Sequence, residues 1–218
     1  MLDLGLRDYN EVWDFQKKLV DLRANNEVPD ILLFLEHFPV ITLGKKGSLN
    51  DVFSTKLPII QVERGGKATY HGPGQLVIYF IIDLLENALS IKSLLQFINT
   101  WLISSFRSIG IQSRAGTGAA SGIWVQNDKK VASIGLSVRK NITSHGIAIN
   151  VTTNLNHFQY LSPCGYSSDD MVSFNSIGYV NWTVNKVQNI LIEQFRKITN
   201  KTLESDYKII SFLEALSS

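Results

Sequence analysis

Residues 64–75 read Arg64-Gly65-Gly66-Lys67-Ala68-Thr69-Tyr70-His71-Gly72-Pro73-Gly74-Gln75. Four of the first eleven residues are glycine, and an arginine, a lysine, a tyrosine and a histidine lie among them. Glycine lets a backbone approach a ligand closely and present its N–H groups. This glycine-rich stretch therefore combines an accessible backbone with hydrogen-bonding side chains.

Two apolar runs flank the stretch, at residues 58–62 (Pro-Ile-Ile-Gln-Val) and 76–82 (Leu-Val-Ile-Tyr-Phe-Ile-Ile). β-Branched and aromatic residues bounded by Gly and Pro are typical of strands, so we expect a connection between two buried strands. A tight hairpin with solvated polar residues is the simpler alternative. Hairpin loops, however, usually need only about two to five residues. The length and chemistry of the stretch favour one wall of a binding site.

The composition predicts a single domain spanning residues 1–218. Hydrophobic residues make up 44% of the chain and charged residues 18%, which is enough apolar material for a sizeable core. The formal net charge of +2 gives no electrostatic reason to expect binding to nucleic acid or to a membrane surface.

Targeting and redox features predict a cytoplasmic protein. The N-terminus lacks the basic and apolar regions of a signal peptide. The longest apolar run, residues 76–82, is far shorter than the roughly 20 residues that span a bilayer. The single cysteine cannot form an internal disulfide, which suits a reducing compartment.

Hydrophobic periodicity and capping residues predict strands and helices along the whole chain. Strands are expected over residues 1–7, 31–35, 40–43, 58–62, 76–82, 122–126, 130–138 and 145–151. Helices are expected over residues 8–24 behind an Asp8 cap, over 91–106 behind a Ser90 cap and over 184–198, with a last strand and short helix over 207–216. Many strands joined mostly by hairpins, with helices at intervals, favour an α/β fold of the α+β type with a mixed sheet.

Spacing argues against several familiar sites. Residues 44–48 lack the four-residue gap of a Walker A loop. Residues 116–122 are rich in glycine, but their spacing differs from a dinucleotide fingerprint and a strand follows where a helix is needed. No Gly-x-Ser-x-Gly element of a serine hydrolase is present. A zinc site built from two histidines and the cysteine has no supporting ligand spacing.

Cys164 is a candidate nucleophile, since it lies in a predicted loop rather than in an apolar periodic run. Its alternative is an inert buried thiol, the usual state of a free cysteine. A nucleophilic cysteine needs a nearby cation or base. Lys130 is a candidate for that cation, because it begins a predicted strand with an apolar face. The alternative is that Lys129 and Lys130 are both solvated turn residues.

His71 and His145 each precede a glycine. A histidine in such a position either takes part in chemistry or makes a structural hydrogen bond. The residues alone leave both alternatives open.

Several segments, in order and spacing, resemble one family. They are residues 35–37, 42–44, 64–75, 122–125, 130–135, 145–150 and 163–165, within a match that runs from Asp3 to at least Ser173. The chain is similar in these segments to the lipoyl(octanoyl) transferases of protein lipoylation. The resemblance implies the fold of the biotin and lipoate protein ligase catalytic domains, a central mixed β-sheet flanked by helices.

The resemblance also implies an activity, the transfer of an octanoyl or lipoyl group from acyl carrier protein to a lysine of an apo-lipoyl domain. Acceptors would be the 2-oxoacid dehydrogenase E2 subunits and the glycine cleavage H protein, and no cofactor or metal is implied. Cys164 stands where the family has its acyl-thioester cysteine, and Lys130 where it has the lysine that lowers that cysteine's pKa. The positions that match the family's acyl-binding segments are Arg64, Gly65, Gly66, Lys67, Ala68, Thr69, Tyr70, His71, Ser133, Ile134, Gly135, Gly146, Ile147 and Ala148.

Two departures and two alternatives accompany this interpretation. Lys45 replaces an arginine that many members carry, and residues 171–174 are a loose version of the family's Thr-Ser-Leu segment. An ATP-dependent lipoate ligase on the same fold would carry Arg-Arg, Gly-Gly-Gly and His-Asp elements in its loop and would not require Cys164. A non-catalytic acyl or carrier-protein binding module would be indifferent to loss of Cys164.

Overall fold

The computed structural model describes residues 1–53 and 55–199. This part of the chain contains ten strands: β1 (Leu2–Arg7), β2 (Ile31–His37), β3 (Val40–Leu43), β4 (Ile59–Gln61), β5 (Ala68–His71), β6 (Gln75–Ile81), β7 (Ser113–Gly116), β8 (Gly122–Val125), β9 (Lys129–Arg139) and β10 (Ile142–Asn150). It also contains three α-helices: α1 (Tyr9–Ala24), α2 (Ile91–Ser108) and α3 (Val184–Thr199). The strand and helix expected over residues 207–216 lie outside the described residues.

The strands of the described residues form two sheets. The larger has seven strands in the order β1-β2-β6-β10-β9-β8-β7, with β1 parallel to β2 and the other neighbours antiparallel. The smaller has the order β4-β3-β5, with β4 parallel and β5 antiparallel to β3. This mixed architecture confirms the predicted α/β fold of the α+β type.

Helices cover both faces of the large sheet, which explains why its central strands are continuous apolar runs. Leu32 and Phe34 of β2 share a core with α2 and α3. Leu33 and Leu35, on the opposite face, share a core with α1. Full burial of one such side chain contributes roughly 1.5–3 kcal/mol. The two cores therefore fix the sheet that carries the site.

The predicted starts of the first two helices are confirmed. Asp8 Oδ1 accepts hydrogen bonds from the backbone N–H groups of Asn10 (2.8 Å) and Glu11 (3.2 Å). Ser90 Oγ accepts one from the N–H of Ser93 (3.0 Å). These caps satisfy donors that have no partner within their own helix.

The glycine-rich stretch does not join two buried strands, so that prediction is wrong. β4 lies at an edge of the small sheet, where Ile59 is 38% exposed, whereas β6 belongs to the large sheet. The stretch itself contains β5. The glycines on both sides obscure the alternation of side chains that would indicate a strand in the sequence. β7 was not predicted either, because Ser-Arg-Ala-Gly carries little strand propensity.

Backbone hydrogen bonds hold the first half of the stretch between two other segments. The N–H groups of Lys45 and Lys46, in the turn after β3, donate to the carbonyls of Arg64 (2.9 Å) and Gly66 (3.0 Å). The N–H of Gly65 donates to Leu136 O in β9 (3.0 Å). Residues 64–66 are therefore held between the turn after β3 and strand β9.

Candidate active site

A cavity that is partly open to solvent lies between the glycine-rich stretch and strands β9 and β10. Its lining residues are Tyr9, Arg64, Gly65, Gly66, Thr69, His71, Tyr79, Ser133, Ile134, Gly135, His145, Gly146, Ile147 and Ala148. Eleven of the fourteen positions matched to the family's acyl-binding segments are among them. The other three, Lys67, Ala68 and Tyr70, lie elsewhere.

Strand alternation separates the side chains of β5. Thr69 and His71 line the cavity. Ala68 and Tyr70 point to the opposite face, as successive strand residues do, and pack in a small core that includes Ile41. They support the cavity wall from behind.

Lys67 lies at the surface beside the turn that carries Cys164. Its side chain is 46% exposed, and its Nζ is 3.8 Å from Asp51 Oδ1. A Cβ atom placed on Gly165 would be 3.7 Å from Lys67 Nζ. Lys67 is therefore a neighbour of the cysteine turn rather than of the cavity.

Arg64 is a buried arginine in the cavity wall. Its Nη2 donates to the carbonyl oxygen (2.8 Å) and to Oγ1 (2.7 Å) of Thr42, and its Nη1 donates to Gly65 O (3.0 Å). The guanidinium thus braces β3 against the glycine-rich stretch.

Burial favours the uncharged forms of several histidine and tyrosine side chains around the cavity. Desolvation lowers the pKa of His71 well below its usual value, and it lowers the pKa of His37 to about 4. Desolvation also raises the pKa of Tyr9 to about 12 and that of Tyr79 well above its usual value. Neutral walls of this kind suit a largely apolar ligand.

A chain of hydrogen bonds fixes the tautomer of His71. The Gln75 amide nitrogen donates to Tyr70 O (3.1 Å) and to Asn150 Oδ1 (2.9 Å), so its Oε1 accepts from His71 Nδ1 (2.7 Å). Asn150 Nδ2 donates in turn to Val172 O (3.0 Å). The chain runs from the cavity wall to the segment that follows Cys164, and it leaves His71 Nε2 as an acceptor.

The low pKa of His37 makes stability depend on pH. Below pH 6.5, His37 binds a proton in the unfolded chain, whereas in the folded chain it stays neutral until about pH 4. Protonation therefore favours the unfolded state, and the free energy of unfolding decreases as pH falls across this window. We expect a loss of roughly 2–3 kcal/mol between pH 7 and 4.5 from this residue alone. Urea unfolding at both pH values should show a smaller loss for His37→Gln than for the wild type. His157→Gln, at a histidine outside the cavity wall, is the control, and equal losses in all three proteins would contradict the expectation.

Lys130 is fully buried, with 1% of its surface exposed. Its Nζ lies 5.5 Å from the centroid of the Trp124 ring and 5.6 Å from that of Tyr166, within the range of a cation–π interaction. Lys129 behaves differently, because its Nζ lies at the surface and donates to Asp169 O (3.0 Å). Lys130 is therefore not a solvated turn residue.

Gly122 makes room for the Lys130 side chain. Its φ is +140°, and a Cβ atom placed there would lie 2.5 Å from Lys130 Cε and 2.3 Å from Ala132 O. No other residue fits this close approach without displacing the lysine.

Cys164 lies in the turn Pro163–Gly165. Tyr166 directly follows the turn, and its ring is the one that contacts Lys130 Nζ. Farther along, the N–H of Val172 donates to Lys130 O (3.0 Å), which ties this segment to β9. The residues that follow the cysteine turn are thus packed against Lys130.

Comparison with known proteins establishes the family. A model described as the lipoyl protein ligase A/B catalytic domain matches residues 8–196. The chain belongs to this family. The octanoyltransferase of Syntrophobacter fumaroxidans is 40% identical over 184 residues, which cover 81% of this chain and 80% of the relative. The probable octanoyltransferase 2 of Picrophilus torridus is 38% identical over 206 residues, covering 94% and 81%. This lipoyl protein ligase A/B family member is an enzyme of the transferase class.

Solved structures show the same fold at low sequence identity. Lipoate-protein ligase A bound with ATP matches with a TM-score of 0.72 and 19% identity, covering 94% of this chain and 87% of that one. The lipoate protein ligase described with its E2 lipoyl domain from Thermoplasma acidophilum gives 0.71 and 18%, covering 94% and 85%. Biotin protein ligase from Aquifex aeolicus gives 0.50 and 14%, covering 93% and 71%. The ligase-like fold predicted from the sequence is confirmed.

Three residues of this family member line the cavity but were not predicted as site residues. Tyr9 belongs to the apolar periodicity of α1, and Tyr79 to the run of β6, so both resembled core residues. His145 carried one weak signal, its position before Gly146. Tyr9 and Tyr79 lie outside the segments that carry the family resemblance, whereas His145 begins one of them.

Residues 1–53 and 55–199 contain neither a metal-binding cluster nor a membrane-spanning helix. No group of three or more His, Cys, Asp or Glu side chains in this part of the chain is placed to hold a metal ion. No helix in the same residues has the length and apolar character needed to cross a bilayer.

Proposed function

We propose that this enzyme transfers an octanoyl or lipoyl group from acyl carrier protein to a lysine of an apo-lipoyl domain, through a thioester on Cys164. One observation carries the proposal. The Lys130 side chain is buried at the turn that holds the only cysteine of the chain. A buried lysine is costly unless a partner or a function compensates, and an ammonium near a thiol favours the thiolate nucleophile.

In the first step the Cys164 thiolate attacks the carbonyl carbon of the octanoyl thioester on the carrier. The new C–S bond to Cys164 forms as the bond to the carrier sulfur breaks, and the carrier leaves as a thiol after taking a proton from the Lys130 ammonium, which becomes neutral. A thioester replaces a thioester, so the step is nearly balanced in free energy and needs no nucleotide. The cysteine divides one transfer between two proteins into two simpler steps.

In the second step the acceptor lysine amine attacks the acyl-enzyme. A C–N bond forms, the bond to Cys164 breaks, and Lys130 in its neutral form takes the proton that the amine releases. General-base help of this kind is typically worth about 10²–10⁴ in rate. The product amide is more stable than the thioester, so this step makes the transfer irreversible.

The cavity next to Lys130 is the proposed acyl site. Ile134, Ile147 and Ala148 give it apolar surface, and the neutral forms of His71 and Tyr79 add no charge. Arg64, Gly65 and Gly66 close it from above. Burial of the chain here contributes roughly 0.8 kcal/mol per methylene group, which holds the reacting carbonyl at the cysteine turn.

The proposed partners are octanoyl-acyl carrier protein as donor and apo-lipoyl domains of 2-oxoacid dehydrogenase E2 subunits and of the glycine cleavage H protein as acceptors. The names of the octanoyltransferase relatives support the acyl group. The name of the Thermoplasma acidophilum structure supports a lipoyl-domain acceptor. We further propose action in the cytoplasm, independent of nucleic acid and membrane.

The purified protein tests the proposal with octanoyl-acyl carrier protein and an apo-lipoyl domain, in the absence of nucleotide and with a chelator present. We expect octanoylation of the acceptor lysine, followed by intact mass. A parallel reaction supplies octanoate and ATP in place of the donor. Acceptor modification only in that second reaction would replace the proposed transfer with the activity of an ATP-dependent ligase.

A further inference from the structure

Among the cavity-lining residues of β9 and β10, His145 lies farthest from Lys130 along the strands. β9 and β10 pair so that Ser133 lies opposite Ala148 and Leu136 lies opposite His145. Lys130 precedes Ser133 by three positions in β9, so the reacting end of the cavity is at Ser133 and the remote end is at His145. Three residue-to-residue steps lead from Ser133 to Leu136 along β9, which corresponds to roughly 10 Å.

The backbone of His145 is in an unusual conformation. Its φ is +57°, a left-handed value that non-glycine residues adopt in only a small share of cases. Its N–H donates to Gln16 Oε1 (2.7 Å), which holds this conformation from α1. The side chain is 1% exposed and lines the cavity. A strained residue held in place at a cavity wall is a frequent sign of a functional position.

Glu63 lies beside the His145 imidazole, and Trp13 lies beside Glu63. His145 Nε2 lies 3.4 Å from Glu63 Oε1, while Trp13 Nε1 donates to both Glu63 carboxylate oxygens (3.1 and 3.0 Å). The neighbouring imidazole of His145 and the Trp13 N–H lower the pKa of Glu63 to about 2. The Glu63 side chain is 40% exposed. The cavity-lining imidazole is thus paired with a carboxylate that is partly exposed to solvent.

We propose that the His145–Glu63 pair is the chain-length stop of the acyl site, which sets the limit at about eight carbons. The inference rests on the proposed acyl transfer. An extended octanoyl chain spans roughly 9 Å, from seven C–C bonds of about 1.5 Å in a zigzag, which matches the length from Ser133 to Leu136. A longer chain would press methylene groups against an imidazole and a carboxylate, and such burial of polar groups is unfavourable.

Two variants open the stop in different ways. His145→Gly removes the imidazole and suits the positive φ at this position. Glu63→Gln removes the charge behind the imidazole and keeps the size of the side chain. His157→Ala is the control, since this histidine lies outside the cavity lining. Thermal unfolding of each variant checks the fold.

The first readout is the dissociation constant of octanoate, decanoate and dodecanoate, measured by calorimetry without any transfer reaction. The second is the rate of acyl-enzyme formation from octanoyl-, decanoyl- and dodecanoyl-acyl carrier protein. We expect the wild type and His157→Ala to prefer eight carbons. In His145→Gly the preference for dodecanoyl relative to octanoyl should rise at least roughly tenfold, because each added methylene that gains a buried place contributes several-fold in affinity. Glu63→Gln should shift in the same direction by less.

A dodecanoate-to-octanoate ratio that is the same in His145→Gly, Glu63→Gln and wild type would overturn the proposed stop. If His145→Gly does not fold, Glu63→Gln alone decides by the same comparison. Failure of the wild type to form any acyl-enzyme would overturn the proposed function instead. The fatty-acid dissociation constants would then still test the stop, because they do not depend on transfer.

Discussion

Cys164→Ala should abolish both the acyl-enzyme and the octanoylated lipoyl domain, because the chain has no other thiol to accept the acyl group. Loss of a nucleophile typically costs several orders of magnitude, so we expect turnover to fall by at least roughly 10⁴-fold. Cys164→Ser should be almost as inactive, since a neighbouring ammonium does not ionise an alcohol as it does a thiol. Intact mass after incubation with octanoyl-acyl carrier protein measures the first product, and the mass of the lipoyl domain measures the second.

Octanoate binding should show that the acyl cavity is intact in Cys164→Ala and Cys164→Ser. Both should bind octanoate as the wild type does, because the acyl cavity is lined by other residues. A Cys164→Ala protein that still modifies the lipoyl domain at the wild-type rate would show that the acyl group passes directly between the two substrates.

Lys130→Met should be defective both in acylation of Cys164 and in transfer to the lipoyl domain. Lys130→Arg should be defective mainly in transfer. Met keeps the buried packing against Trp124 and Tyr166 but has no charge to favour the thiolate. Arg keeps a positive charge that does not deprotonate in the working range of pH, so it can support acylation but cannot accept the proton of the attacking amine. We expect Lys130→Arg to form acyl-enzyme and to transfer it roughly 10²–10⁴-fold more slowly than the wild type. Rapid-quench mass spectrometry separates the two rates.

The adjacent lysine supplies a matched control. Lys129 lies at the surface, where its Nζ is 3.5 Å from Asp170 Oδ1. An exposed pair of this kind contributes little, so Lys129→Met should retain nearly wild-type rates. Iodoacetamide titration should show a thiol that reacts at lower pH in the wild type and Lys129→Met than in Lys130→Met. Coincident titration curves for all three proteins would exclude a role for Lys130 in activating Cys164.

Helices and central strands could be predicted because their periodicity and caps are local. The Asp8 and Ser90 caps, together with the apolar runs of β2 and β6, each act within a few residues and appear as expected. β5 could not be predicted, because its identity as a strand depends on pairing with β3, a long-range contact. Glycines on both sides of β5 also mask its alternation.

Some residues of the candidate site could likewise be predicted from the sequence, and others could not. Eleven acyl-binding positions matched by resemblance line the cavity, because they lie on segments whose backbone faces it. Ala68 and Tyr70 fall in one of those segments but point away, since a strand presents only alternate side chains to each face. Tyr9 comes from α1 and reaches the cavity only through tertiary packing. Local patterns could not identify it.

The difference between Lys129 and Lys130 shows the limit of sequence reasoning most directly. The two residues are chemically identical and adjacent, and either could have been a turn residue. Gly122 has no side chain, so the Lys130 side chain can occupy the space where a Cβ would lie and pass into the interior. That space belongs to a neighbouring strand and becomes apparent only when β8 and β9 pair.

A single-turnover reaction of isolated octanoyl-enzyme tests the proposed thioester pathway most directly. The enzyme is acylated, separated from the acyl carrier protein and mixed with an apo-lipoyl domain without nucleotide, while the masses of both proteins are followed in time. We expect the octanoyl group to leave the enzyme and to appear on the lipoyl domain with one rate constant. It should be labile to hydroxylamine before transfer and resistant afterwards. Acceptor modification that occurs only when octanoyl-acyl carrier protein is added back, with the enzyme-bound acyl group unchanged, would contradict the thioester intermediate.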